Sequence, residues 1–379
     1  MISALLSLAQ GVKAQQADVF TVASLNVDGL PLKILVFKVN ANGPGDAGTS
    51  RMGKYLSKKN YDMIFMQEDF NYHDVMTPWL EDNYKLDSHS GRVDIDVEGE
   101  KVDFLHLQNH RFKCDGLMAA WKNDIQVTAT SREAWKQNFG KFSHAWDEIV
   151  TKGFRRYEMK LANGHEIVVY NMHMDAGDNV DEVEFKDAND RAARHAQWMQ
   201  LKDDILQKLD SRPVIVVGDL NSYYYRDKIK ADFIEAIAAT GKATVNDAFV
   251  ELKKAGAYPA YSDKDTYRKP LVGNLLDGEG PDKILYINPV NGAKIKAVSF
   301  DVDVEGYKYE DKALGDHYPV SATFEFSGKR PSAIANISVL EDVTAPVEYY
   351  NLNGQRIDKP AKGVYVERRG NVSVKRTAN

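Results

Sequence analysis

Short apolar runs punctuate the chain at residues 19–27, 63–66, 117–121, 167–172, 214–217, 284–287 and 320–326. Their length and their content of Val, Ile, Phe and Tyr predict strands. Residues 63–66 and 214–217 are apolar throughout, as strands covered on both faces are. Residues 320–326 alternate instead, with Val320, Ala322, Phe324 and Phe326 on one side, which predicts a half-exposed strand. Residues 155–170 hold two strand-like runs around Asn163-Gly164, the signature of a hairpin with a type I′ turn. Between strands the period lengthens. Ala193, Ala196, Trp198, Leu201, Ile205 and Leu209 mark one face of a long helix over 184–209, and 51–59 and 228–240 predict shorter helices. Strands and helices interleave but hairpins also occur, which predicts α/β layering with two mixed sheets inside and helices outside.

Past residue 327 the character changes. Turn signals at Asn353-Gly354, Lys362-Gly363 and Gly370-Asn371 separate strand-like runs. The expected organisation is a domain over 18–327, a linker over 328–344 and a small β appendage or sorting-type tail over 345–379.

The 379 residues are 43% hydrophobic and 27% charged, enough for a sizeable core. A net charge of -6 argues against a protein held to nucleic acid by bulk positive charge. It leaves room for an enzyme whose bound cation supplies the charge locally. Cys114 is the single cysteine, which excludes intrachain disulfides and cysteine-rich zinc sites. Residues 1–17 read as the latter part of a secretory signal peptide, a short apolar run followed by small residues. No later stretch is apolar for the ~18 residues a spanning helix requires. The expectation is a soluble protein that is secreted, periplasmic or on the cell surface.

Polar residues recur at the ends of the predicted strands: Asn26, Glu68, His173, Asp219 with Asn221, and Asp316-His317 just before the last strand. Strand ends project into the loops where sites are built. Singly, each has an ordinary reading as a turn residue, a solvated strand end, a structural histidine, an Asx turn or a loop ion pair. The set and its order say more. Asn26, Gln67-Glu68, His173-Met174-Asp175, Gly218-Asp219-Leu220-Asn221, Asp282-Lys283-Ile284 and Gly315-Asp316-His317 follow one another over about residues 19–326. In this the chain resembles the endonuclease/exonuclease/phosphatase superfamily, whose fold is a four-layer α/β/β/α sandwich.

The resemblance implies a metal-dependent phosphoric diester hydrolase. Glu68, with Asn26 and Asp316, would hold magnesium or another divalent cation such as calcium or manganese. Asn26 and Asn221 would bond the phosphate, and His317 would be general base on the attacking water. Asp219 would orient that water, His173 would donate to a phosphoryl or leaving-group oxygen, and Asp282 and Asp316 would tune the histidines. Phosphoryl transfer needs positioning and charge compensation, which such a set supplies.

The layout between His173 and Asp219, with Arg191, Arg194 and Gln197 on the long helix, is similar to sphingomyelinase-type members, as is Lys152-Gly153-Phe154. Asp175, Arg194, Tyr223, Tyr224 and Tyr225 are candidate substrate contacts. The favoured substrate is a phospholipid headgroup, cleaved as by a phospholipase C. The alternatives are a nonspecific secreted nuclease, an inositol phosphate or phosphomonoester phosphatase, and an inactive binding module. Residues 139–146 are the best candidate for transient membrane-surface contact, and no obligate protein partner is evident. The tail resembles C-terminal appendages of secreted Bacteroidetes proteins.

Overall fold

The computed structural model describes residues 18–177, 188–259, 279–327 and 346–378, apart from 35, 94–96, 99–102, 104, 105, 107, 108, 142, 143, 352, 353, 361, 370 and 371. The expected leader at 1–17 and linker at 328–344 lie outside the described residues. The chain divides into two compact units, Met1–Gly328 and Lys329–Asn379.

Two six-stranded sheets make the first unit. One runs β13 (Lys294–Val302), β16 (Val320–Ser327), β1 (Val19–Asn26), β4 (Met63–Gln67), β6 (Met118–Lys122) and β5 (Tyr84–Leu86). The other runs β11 (Ala243–Asp247), β12 (Asp282–Pro289), β10 (Val214–Asp219), β9 (Glu166–His173), β8 (Gly153–Lys160) and β7 (Gln126–Ala134). The pairs β1/β4 and β9/β10 are parallel and the remaining ladders are antiparallel, so both sheets are mixed. Two short ribbons, β2 (Lys33–Ile34) with β3 (Phe37–Lys38) and β14 (Lys308–Tyr309) with β15 (Lys312–Ala313), complete the strands of this unit among the described residues.

The alternation of side chains along β4 explains the layering. Met63 and Phe65 point between the sheets, into one cluster with Val22, Tyr157 and Val169. Ile64 and Met66 point the other way, where Met52 and Leu56 of helix α1 (Gly45–Ser57) cover them. On the second sheet, Trp198, Leu201 and Ile205 of α3 (Ala188–Lys208) join the cluster, and the Tyr170 hydroxyl donates to Asp204 of that helix at 2.9 Å. The result is the α/β/β/α sandwich. Short helices α2 (His73–Met76), α4 (Ala236–Ala239) and α5 (Ala248–Lys253) occupy connections.

Several local expectations are corrected. The hairpin between β8 and β9 has only Gly164 at positive φ (87°), and Leu161 and His165 close it. It is therefore the three-residue loop with a left-handed glycine, not type I′, which requires two left-handed residues. The helix expected at 228–240 opens as a π-helical stretch, Lys230–Glu235. β7 escaped notice because it is a polar edge strand, exposed along most of its length. No helix among the described residues is long and apolar enough to cross a membrane.

The second unit is a four-stranded antiparallel sheet in the order β18 (Arg356–Ile357), β17 (Val347–Tyr350), β19 (Gly363–Arg369) and β20 (Val372–Ala378).

A buried polar pair deep in the sandwich joins the two sheets. Gln67 of β4 donates to Asn171 of β9 at 2.8 Å, and the Asn171 amide donates to the carbonyls of Met66 (3.1 Å) and Met118 (3.0 Å). Both residues are fully buried. The substitution Asn171→Leu keeps the volume but orphans these partners, so it is expected to cost at least about 2 kcal/mol in urea denaturation. A loss under ~0.5 kcal/mol would show that the pair adds nothing.

Candidate active site

Strand direction and register bring the sequence-predicted residues together. Because β1 and β4 run parallel with Asn26 opposite Gln67, Asn26 and Glu68 leave the first sheet at the same end. In the second sheet Asp219 lies opposite His173 on one side and Asp282 on the other. The two sheet ends face each other, and His317 enters from the loop before β16. Asp316 beside it is exposed at the rim.

Asp219 is the hub. Its Oδ2 accepts from Asn26 Nδ2 at 3.1 Å and lies 3.5 Å from His173 Nε2 and 3.7 Å from His317 Nε2. Its Oδ1 accepts from the backbone N–H of Asn221 at 2.9 Å. Burial pushes this carboxyl up, yet His317 foremost, with Asn26 and the Asn221 amide, holds it below its usual value, so it is ionised at neutral pH. Asn26 also donates to Glu68 Oε1 at 2.9 Å. Glu68 sits at φ 58° and Asn221 at φ 43°, left-handed backbone that aims both side chains back over the strand ends.

The two histidines are in opposite states. His317 Nδ1 bonds Asp282 Oδ2 at 2.5 Å. Burial alone would lower its pKa, but Asp282, Asp219 and Asp316 outweigh burial and raise it well above the ordinary value. For His173, burial and the ammonium of Lys152 both depress the pKa, well below the usual range. Lys152 Nζ lies 3.1 Å from His173 Nε2 and pairs with Asp147, and both members of that pair are buried. Burial would discharge the lysine, but Asp147 and Glu68 hold its pKa up. An ammonium can only donate, so Nε2 accepts and the ring proton sits on Nδ1, which is buried without a hydrogen-bond partner. The positive charge at this corner therefore belongs to Lys152 rather than to His173.

Asp28 and Asp147 are the residues that motif reading missed, and Lys152, noted only within Lys152-Gly153-Phe154, had no role assigned. Asp28 stands two positions after Asn26 and bonds Asn40. Burial, then Asp316 and Glu68, raise its carboxyl to about 8. Glu68 rises to about 7 through burial, with Asp316 adding to the effect and Lys152 opposing it. Carboxyl groups that crowd one another until they hold protons at neutral pH form a donor set suited to a hard divalent cation. Glu68, His173 and Asp219, and likewise Asp219, Asp282 and His317, offer ligand atoms within 4.8 Å of one another.

Other candidates lie in the packing. Arg194 is fully buried; its Nε donates to Asp227 at 3.1 Å and its Nη1 to the carbonyl of Ala176 at 3.1 Å. Asp175 is fully buried too, accepting from Phe139 N at 3.0 Å, while its own N–H donates to Gln197 at 2.9 Å. Tyr224 bonds Asp247 at 2.7 Å, and Tyr223 and Tyr225 are 8% and 7% exposed. These five are tied into the packing behind the cleft, with little surface exposed. Of the three rings, Tyr223 lies within electrostatic reach of Asp219 and Asp282. In the segment 139–146, residues 142 and 143 lie outside the described residues. Phe139 is half-buried, its amide tied to Asp175, and Trp146 is buried.

No protein-family model matches the chain. Sphingomyelinases of Mycobacterium tuberculosis and Mycobacterium bovis are 25% identical over 309 residues, 81% of this chain and 53% of theirs. The chain thus spans about half the length of the curated relatives it matches. An endonuclease/exonuclease/phosphatase family protein from Bacteroides thetaiotaomicron has the same fold, at 17% identity and TM-score 0.51, covering 82% of this chain and 98% of that one. D. rerio TDP2 complexed with single strand DNA product matches at 13% identity and TM-score 0.50, over 81% and 99%.

The raised carboxyls make a prediction. At pH 7 the cation-free protein holds a proton on much of Asp28 and part of Glu68, and a divalent cation displaces these protons. Calorimetric titration with Mg2+ in buffers of different ionisation enthalpy should show more proton release at pH 7 than at pH 9, where Asp28 and Glu68 have little left to lose. Equal release at both values would remove these two groups from the cation site.

Proposed function

We propose that this chain, which has the endonuclease/exonuclease/phosphatase fold, is a secreted phosphodiesterase that depends on a divalent cation and cleaves the phosphorylated headgroup from a sphingomyelin-type lipid. The observation that carries the hydrolase reading is the convergence of Asn26, Glu68, His173, Asp219, Asp282 and His317 on one end of the sandwich, with Asp219 at the centre. Support for the lipid comes from the sphingomyelinases at 25% identity, and from the charge of -6 without a basic run between residues 29 and 326.

Glu68, Asn26 and Asp316 are the residues that would hold a magnesium ion, which when bound supplies positive charge to the phosphate oxygens. Ionised Asp219 takes a proton of the attacking water in a hydrogen bond and so orients it. His317 gives its Nδ1 proton to Asp282 in a hydrogen bond, which leaves Nε2 to face Asp219 and take the other water proton. In the cation-free protein the surrounding carboxylates keep His317 charged, so its service as base requires their charge to be offset. His173 lies on the opposite side, 3.8 Å from Glu68 Oε1. Lys152 beside it gives this corner of the cleft its positive charge, while Asn221 steadies both Asp219 and the loop below.

The test is purified protein with sphingomyelin vesicles, single-stranded DNA and inositol phosphates, each with Mg2+ or chelator. Sphingomyelin should be the fastest substrate, release phosphocholine and stop with chelator. His173→Gln and His317→Gln should each lower kcat by about 10²–10³-fold. Activity that survives both substitutions would contradict the chemistry assigned to the two histidines, and faster cleavage of DNA would end the lipid assignment alone.

A further inference from the structure

A second cluster of ligating side chains stands beside the first and takes no part in it. Asp69, His73 and His89 offer three ligand atoms within 4.8 Å of one another. None of the three belongs to the two groups around Asp219. They come from separate elements. Asp69 follows Glu68 in the turn after β4, His73 is the first residue of α2, and His89 lies in the loop after β5. His73 Nδ1 is 2.6 Å from Asp69 Oδ2, and His89 Nε2 is 3.1 Å from the Asp69 carbonyl oxygen. The two imidazoles stack with centroids 4.3 Å apart and planes 16° from parallel. The Asp69 side chain is 1% exposed and that of His73 is 15% exposed. The cluster is therefore walled on one side and open to solvent on the other.

We propose that Asp69, His73 and His89 form a second cation site, selective for zinc and similar first-row ions over magnesium and calcium. The donor set decides the ion. Two imidazole nitrogens with one carboxylate suit borderline metals, whereas magnesium and calcium take oxygen. Charge supports the same reading. Two stacked imidazoles share a single carboxylate, so protonating both would press two positive charges face to face with one counter-charge between them. One dication bound to two neutral rings avoids that repulsion. Tetrahedral coordination at about 2.0–2.1 Å places ligand atoms about 3.4 Å apart, so the His73 Nδ1–Asp69 Oδ2 pair at 2.6 Å must open while any wider pair draws in. Partly exposed imidazoles can do this by side-chain rotation. Asp69 need not move, since its amide is fastened to the Gly116 carbonyl at 2.9 Å. Three protein ligands leave a fourth position on the open side for water.

The location gives the site a consequence. The Glu68 carbonyl accepts from the amides of Gly29 (3.0 Å) and Phe70 (2.8 Å), so Glu68 and Asp69 share one tight turn. A cation on Asp69 would brace that turn from outside the cleft. The proposal does not rest on the phosphodiesterase reading, because binding is read without substrate.

The test uses the full chain, with Glu68→Gln as a background that weakens the first cluster. Zinc bound after dialysis against Zn2+ is measured by elemental analysis, and Co2+ is substituted to read visible d–d absorption. One Zn2+ per chain is expected in the Glu68→Gln protein, together with Co2+ bands of a low-coordinate nitrogen–oxygen site. His73→Gln and His89→Gln should each weaken Zn2+ binding at least about tenfold and remove those bands. They should also abolish the rise in thermal midpoint that Zn2+ gives the parent. Unchanged zinc content and bands in the His73→Gln/His89→Gln double variant would overturn the site. As a check that needs no substitution at the site, one equivalent of Zn2+ should shift the NMR ring signals of His73 and His89. Shifts confined to His173 and His317 would overturn it as well.

Discussion

The hydrogen bond from Asn26 to Asp219 joins a strand of one sheet to a strand of the other, at the end of the sandwich where both strands stop. Each partner is almost completely buried, so neither can exchange this bond for water without opening the interface. Gln67 and Asn171 make the same kind of crossing one layer deeper. These polar links fix how the sheets slide relative to each other, which apolar contacts between Met63, Phe65, Tyr157 and Val169 would leave less determined. The positions of Glu68, His173 and Asp282 then follow from strand register alone.

The electrostatics of the cleft grow out of that placement. Identical side chains, His173 and His317, sit on either side of Asp219 and are driven in opposite directions by what lies behind them. A buried ammonium stands behind His173 and a buried carboxylate behind His317. The first keeps an imidazole neutral and the second keeps one charged. Burial strengthens both effects because little water remains to screen them. The acidic groups on the Asp28 and Glu68 side carry the complementary imbalance, an excess of negative charge that holds protons for want of a stronger counter-charge.

Much of this could be read from the chain because the site lies where predictable elements end. The runs before Asn26, Glu68, His173 and Asp219 are buried strands with strong apolar signals, so their ends were placed within a residue or so. Lys152 and Asp147 were not assigned a role. They precede β8, a strand whose sequence is largely polar, and a buried ion pair has no periodic mark. Asp28 was passed over because an Asp before a Gly reads as a turn residue, and only the fold shows that it faces Glu68 and Asp316. Arg194, Asp175 and the tyrosines are a different case. Their proximity to the motif in sequence suggested contact with a ligand, while the fold uses them to hold α3 and the following loop in place. The appendage was visible from its turn residues, since strands separated by Asn-Gly and Lys-Gly need little tertiary context.

The left-handed backbone at Glu68 is maintained by close neighbours. A Cβ at Gly29 would come within 2.2 Å of the Glu68 carbonyl oxygen, and one at Gly116 within 2.5 Å of the Phe70 ring. A glutamate in this conformation carries a penalty of roughly 1 kcal/mol that a glycine would escape. Folding free energy and the carboxylate are thus at odds at this single position. A protein engineer who ranks variants by melting temperature alone would be led to replace Glu68, and would obtain a sturdier scaffold that had shed the group around which its cleft is organised.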